Sequence, residues 1–133
     1  MRVITSLCAV LAASLAAAPI AANAADFAGT WKVNGSMKQP RGALVLDAVC
    51  QFQQAGVVLR GACKGPTGEG PALGKLISPT KVEWQCDVTP TAPDGFRGAI
   101  RFDGVMGADG VVRGEFAIST APALRGTYTQ VRP

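Results

Sequence analysis

Beyond the first two dozen residues no stretch keeps apolar residues at helical spacing for three turns. Apolar and polar positions instead alternate in short runs, broken roughly every eight to twelve residues by clusters of Gly, Pro, Asp and Asn. The pattern predicts eight strands, over approximately 28–37, 43–53, 57–63, 72–77, 81–89, 95–106, 111–119 and 123–131. No connection between them is long enough for a crossover helix. The expected fold is therefore all-β, an up-and-down antiparallel eight-stranded barrel, with a β-sandwich as the alternative.

One local unit recurs five times, apolar–x–Gly–x–apolar: Phe27-Ala28-Gly29-Thr30-Trp31, Leu59-Arg60-Gly61-Ala62-Cys63, Phe96-Arg97-Gly98-Ala99-Ile100, Val112-Arg113-Gly114-Glu115-Phe116 and Leu124-Arg125-Gly126-Thr127-Tyr128. Side chains alternate faces along a strand, so the two apolar residues and the glycine share the inner face and the second residue points out. An inward glycine sacrifices packing, which is expected where a strand coils tightly or a bulky neighbour lies over it. Pairing the sixth and seventh strands with Phe102 opposite Phe116 also sets Gly104 against Gly114 and Ile100 against Ile118, all facing inward. On the outer face Arg101 then lies diagonal to Glu115, and Asp103 to Arg113. The second and third strands are expected to turn around Gln53-Gln54-Ala55-Gly56, with Phe52 opposite Val57 and Cys50 opposite Leu59.

The first residues read differently. Arg2 supplies a single charge, Val3–Ile20 is apolar and alanine-rich, and Ala22-Asn23-Ala24 is a small-x-small cleavage site, the three parts of an export signal. The expectation is a signal peptide over 1–24, cut before Ala25, and a single domain over 25–133, periplasmic or secreted. The alanine-rich run is weakly apolar, Pro19 interrupts it near its end and no flanking charges follow, so it does not suit a bilayer anchor and no membrane span is expected after cleavage. Cys8 follows Leu7, which does not suit a lipoprotein site.

The chain has no His and a formal net charge of +4. Ser-His-Asp and Cys-His nucleophile pairs, histidine metal sites and histidine pH switches are excluded. Asp26, Asp47, Glu69, Glu83, Asp87, Asp94, Asp103, Asp109 and Glu115 are scattered over turns and outer faces, with no convincing acid–base pair. The expectation is a non-enzymatic protein without metal or cofactor, and the dispersed aromatics do not suit nucleic acid. Arg97, Arg113 and Arg125, on successive strands, are a candidate patch for an acidic or protein partner; a solvated barrel wall is the favoured reading. The segment Lys64–Pro71 is Gly/Pro-rich but lacks the Gly-Lys-Ser/Thr ending of a phosphate loop, and reads as barrel rim.

Eight strands make a barrel just wide enough to be filled by its own side chains or to hold one small ligand. Trp31, Phe52 and Trp84 are the candidate wall residues for a small, mainly apolar ligand in the mouth, although buried Trp is also ordinary core material. A protein-binding module such as a periplasmic protease inhibitor is the second reading. Cys50, Cys63 and Cys86 meet an oxidising compartment as an odd number, so at least one stays unpaired within the chain; spacing alone leaves the pairing open.

Gly29-Thr30-Trp31 resembles the Gly-x-Trp opening of calycin barrels, a group that includes lipocalins, avidins and small bacterial metalloprotease inhibitors. Gly29–Met37 is similar to the first strand and loop of avidins, where Asn and Ser contact biotin, but with a shorter Asn–Gly spacing and no counterpart to the downstream avidin ligand residues. The stretch from Cys50 to Pro66 is similar, but for one residue, to a Cys-x-Phe-x-Gln-x-Gly-x-x-Leu-x-Gly-x-Cys-Lys-Gly-Pro stretch of uncharacterised secreted bacterial proteins. That resemblance implies a Cys50–Cys63 disulfide and brings no activity with it.

Overall fold

A computed structural model describes residues 26–133; the expected signal peptide lies outside them. Eight strands follow one another: β1 (Gly29–Gln39), β2 (Gly42–Ala55), β3 (Val58–Lys64), β4 (Gly68–Leu76), β5 (Lys81–Pro90), β6 (Gly98–Met106), β7 (Val112–Ile118) and β8 (Gly126–Val131). Each pairs antiparallel with its neighbours in sequence, and β8 returns to β1 through Lys32↔Val131 to Ser36↔Thr127, so the sheet is a closed barrel. Closure decides against the sandwich and leaves no full-length free edge.

The β6–β7 register is the expected one, with Phe102 opposite Phe116 and Gly104 opposite Gly114. On the outer face, however, Arg113 turns back to Asp109 (2.9 Å), and Asp103 lies directly between Glu83 and Glu115 on its two neighbours.

The second hairpin differs by four residues from the sequence reading. Phe52 faces Gly61 rather than Val57, and Cys50 faces Cys63 rather than Leu59. β2 runs on through Gln53 and Gln54 to Ala55, and the turn is the two residues Gly56-Val57, with Gly56 at φ 63°. Gly is suited to that left-handed position. The polar pair Gln53-Gln54 looks like a turn by composition, yet Gln54 has work inside the strand: its Oε1 accepts from the Phe27 N–H (2.7 Å) and its Nε2 donates to the Gly56 carbonyl (3.0 Å).

The corrected register brings Cys50 and Cys63 directly opposite each other, 4.0 Å apart at Cα, and they form the disulfide. Loop closure over 13 residues contributes on the order of 3 kcal/mol. β4 also begins earlier than expected, at Gly68, so half of the expected rim loop is strand. Gly68 and Gly70 make this possible because side chains there would run into Val88 and the Asp87 carbonyl on β5.

The recurring glycine has two physical origins. At Gly61, Gly114 and Gly126 the neighbouring strand or ring comes so close that a Cβ would meet the Gln51 carbonyl, the Asp103 carbonyl and the Phe116 ring respectively. Gly29 and Gly98, at the starts of their strands, instead have φ of 108° and 144°. Gly114 sits in a hollow with Gly104 that takes the Tyr128 side chain. The obstruction at Gly114 is backbone, which cannot rotate away. Gly114→Ala is expected to lower unfolding stability by about 2 kcal/mol or more in a denaturant titration; a loss within about 0.5 kcal/mol, the range of an unremarkable surface change, would show that the strands are not in this contact.

Candidate ligand-binding site

The two ends of the barrel are built differently. At one end Phe27 enters ahead of β1 and is fully buried beside Trp31, the rings 6.1 Å apart. The Trp31 indole N–H donates to the Phe27 carbonyl (2.8 Å). Arg132, just past β8, lays its guanidinium 4.1 Å from the centre of the Trp31 ring and donates to the carbonyls of Ala28 (2.8 Å) and Asp26 (2.7 Å). The Trp31 indole N–H and the Phe27, Ala28 and Asp26 carbonyls are thereby hydrogen-bonded, and the end is shut.

The middle of the barrel is filled by aromatic rings. Trp84 stacks flat on Phe102 at 3.8 Å and 7°. Phe52 meets the Trp84 ring edge-on at 5.2 Å, Tyr128 meets Phe102 edge-on at 5.0 Å, and Phe116 tilts against Phe102 at 5.9 Å. Edge-to-face contacts such as those of Phe52 and Tyr128 add about 0.5–1.5 kcal/mol each beyond area burial. Burial pushes the Tyr128 phenol well above its ordinary range, so it remains neutral.

Above this layer the barrel is open. A cavity of about 560 Å³ reaches from the loops at the far end down to Trp84 and Phe102, within the roughly 300–1,000 Å³ of small-molecule sites. Its wall includes Leu44, Leu46 and Ala48 of β2, Val88 of β5, Phe96 and Ile100, with the Cys50–Cys63 disulfide and the Cys86 thiol lower down. Leu44, Leu46, Ala48, Val88 and Phe96 are only half-buried, while Ile100, Trp84 and Phe102 beneath them are buried. The wall is interrupted beside β2, because β3 pairs with β2 only as far as Val49↔Lys64 and leaves Gly42–Ala48 without a strand partner on that side. Gln39, Thr67, Lys64, Asp47, Glu69 and Asp94 form the polar rim.

Of the three aromatic residues singled out by the sequence, Trp84 lines this cavity. Phe52 stands behind it in the aromatic layer, and Trp31 belongs to the plug at the closed end. The structure thus brings Phe52 and Trp84 together and keeps Trp31 apart. Leu44, Leu46, Ala48, Val88, Phe96, Ile100 and Phe102, which the sequence does not single out for the site, make up much of the wall; alternation marks several of them as inward, but not which inward positions lie above the filled layer. Arg97 and Arg125 precede β6 and β8 at the mouth end, whereas Arg113 lies near the opposite end, engaged with Asp109. Hydrogen bonding to Arg113 holds the Asp109 carboxyl below its ordinary value.

No protein-family profile matches the sequence, and no curated protein matches it.

Cys86 is the free cysteine among the described residues and is buried, its Sγ 3.7 Å from the Gly70 carbonyl. Burial, with a smaller contribution from the neighbouring Asp87 charge, pushes its thiol up from 9.0 to about 11. The reactive thiolate is therefore scarce at neutral pH. Alkylation by iodoacetamide followed by mass spectrometry is expected to be slow in the folded protein at pH 8 and to keep accelerating up to about pH 11. A rate that levels off near pH 9 would place the thiol in water instead.

Proposed function

We propose that this chain is an exported, non-enzymatic barrel that binds one small, mainly apolar ligand in its mouth. The observation that carries this reading is the cavity of about 560 Å³, walled by Leu44, Leu46, Ala48, Val88, Phe96 and Ile100 over a floor of stacked Trp84 and Phe102. Apolar side chains left half-exposed around a concavity lose hydration cost when a ligand covers them, at about 25 cal/mol per Å² buried. The rigid aromatic floor limits how far the site can collapse without a ligand, and a preformed site avoids the ordering cost of binding.

Two features support the remaining parts of the proposal. A cross-strand disulfide suits an oxidising compartment, in keeping with the export signal expected at 1–24. For chemistry, the strongest nucleophile on the cavity wall is the Cys86 thiol, which burial keeps protonated, and the chain has no His to activate it. On this reading the barrel holds its ligand without transforming it.

A neutral fluorescent probe, N-phenyl-1-naphthylamine, tests the reading directly. It is expected to bind one per chain with brightened emission, to slow Cys86 alkylation, and to be displaced from Ala48→Trp, whose indole would occupy the mouth. Absence of saturable binding, or binding that Ala48→Trp leaves untouched, would overturn the proposal.

A further inference from the structure

The longest strand of the barrel is only half paired on one side. β2 has 14 residues, but β3 meets it only from Ala55↔Val58 to Val49↔Lys64, so Gly42–Ala48 has β1 on one side and no strand on the other. The pairing decides which backbone groups this edge shows. Two-residue turns close both hairpins of β2, Pro40-Arg41 before Gly42 and Gly56-Val57 after Ala55, and the pair that closes such a turn is hydrogen-bonded. Counting in twos from either turn gives one result: Gly42, Leu44, Leu46 and Ala48 bond to β1, while Ala43, Val45 and Asp47 turn their N–H and C=O toward the β3 side. Gly65 lies against the Asp47 carbonyl, in keeping with that direction, and ends the open edge there. Among the described residues nothing hydrogen-bonds to the edge-facing groups of Ala43 and Val45. Strand edges are ordinarily protected by Pro, Lys, a bulge or a covering loop. This one reads Gly-Ala-Leu-Val-Leu-Asp-Ala, and its Val45, 69% exposed, is the most exposed large hydrophobic residue described.

We infer that a second copy of the chain covers this edge, β2 pairing antiparallel with β2 about a two-fold axis at Leu44. The register favours a second copy over a foreign strand. With Leu44 opposite Leu44, Ala43 of each copy lies opposite Val45 of the other; these are the hydrogen-bonding positions, so every open N–H and C=O on both chains is paired at once. Shifting the strands by two residues in one direction would bring Ala43 against Asp47, where Gly65 already stands. Shifting them the other way would set Val45 against the turn residue Arg41. The favoured register also places Arg41 opposite Asp47 of the second copy, twice by symmetry. Among the described residues neither belongs to an ion pair, and opposite charges facing across two strands are stabilising. Leu44 lines the cavity, so the second copy's Leu44 arrives at each mouth where β3 leaves the wall incomplete. That last consequence rests on the proposed ligand-binding role of the mouth; the pairing itself does not.

Sedimentation velocity on the purified protein from roughly 10 µM to 1 mM tests the pairing. The contact is small beside standard interfaces of about 1,200–2,000 Å², so a dissociation constant between micromolar and millimolar is expected. Val45→Pro removes an open N–H while leaving the β1 ladder intact, and should abolish the dimer. Arg41→Glu and Asp47→Arg should each weaken it roughly tenfold, since each pair occurs twice, and the double variant should restore it, a rescue that misfolding cannot imitate. Leu44→Cys should cross-link to its own copy on oxidation. N-phenyl-1-naphthylamine should bind Val45→Pro several-fold more weakly than the parent. A chain that stays monomeric at every concentration, or a dimer indifferent to Val45→Pro and to the charge exchange, would overturn the pairing without touching the ligand site. Equal probe binding by the parent dimer and Val45→Pro would overturn the shared wall. Dimers that bind no probe would remove the ligand reading and leave the pairing in place.

Discussion

The clamp of Arg132 on Trp31 is the interaction on which the rest of this barrel depends. It joins the last strand to the first through one solvent-exposed guanidinium that covers the indole face and donates to the Ala28 and Asp26 carbonyls. A cation over an indole contributes about 0.5–2 kcal/mol depending on how far it is desolvated. Its larger consequence is geometric. The clamp holds Ala28 and Asp26, and so keeps Phe27 inserted, with Gln54 and Trp31 securing its N–H and carbonyl. One end of the barrel is thereby closed by four residues from three parts of the chain, and the remaining inward side chains are free to be distributed along the axis.

That distribution explains why a barrel of this size is neither wholly filled nor wholly open. Phe52, Trp84, Phe102, Phe116 and Tyr128 span the middle, and interior glycines at 35, 104 and 114 provide the room for Tyr128. No large ring sits fully buried above them: the inward residues of upper β2 are Leu44, Leu46 and Ala48, and Phe96 lies at the rim. The early end of β3 at Lys64, against a β2 of 14 residues, opens the wall on one side. The site is thus a product of unequal strand lengths and of where bulk stops along the axis.

Much of the architecture was legible in the sequence because alternation and turn chemistry act locally. All eight strands, the β6–β7 register and the inward face of the glycine-bearing units follow from period two and from Gly/Asp-rich turns. The reading failed at Gln53-Gln54, where a polar pair inside a strand serves the plug, and at Gly68–Pro71, where glycine and proline continue a strand because the neighbouring backbone leaves no space for side chains. Both misreadings have one cause: tertiary contacts gave a local signal a meaning that the local pattern does not contain. The first of them also obscured the disulfide, which needs the shifted register to bring Cys50 opposite Cys63.

The candidate site was less legible than the fold. Inwardness marks Trp31 and Trp84 equally, yet one belongs to a sealed end and the other to the floor of a cavity, and only depth along the axis distinguishes them. The barrel is divided at Trp84 and Phe102 into a packed half and an open half. Methyl-resolved NMR during titration with N-phenyl-1-naphthylamine tests it most directly. Saturable shifts are predicted for Leu44, Leu46, Val88 and Ile100, with Val112 and the Trp31 indole proton unmoved. Shifts at the plug equal to those at the mouth, or a mouth whose methyls do not respond at all, would contradict it.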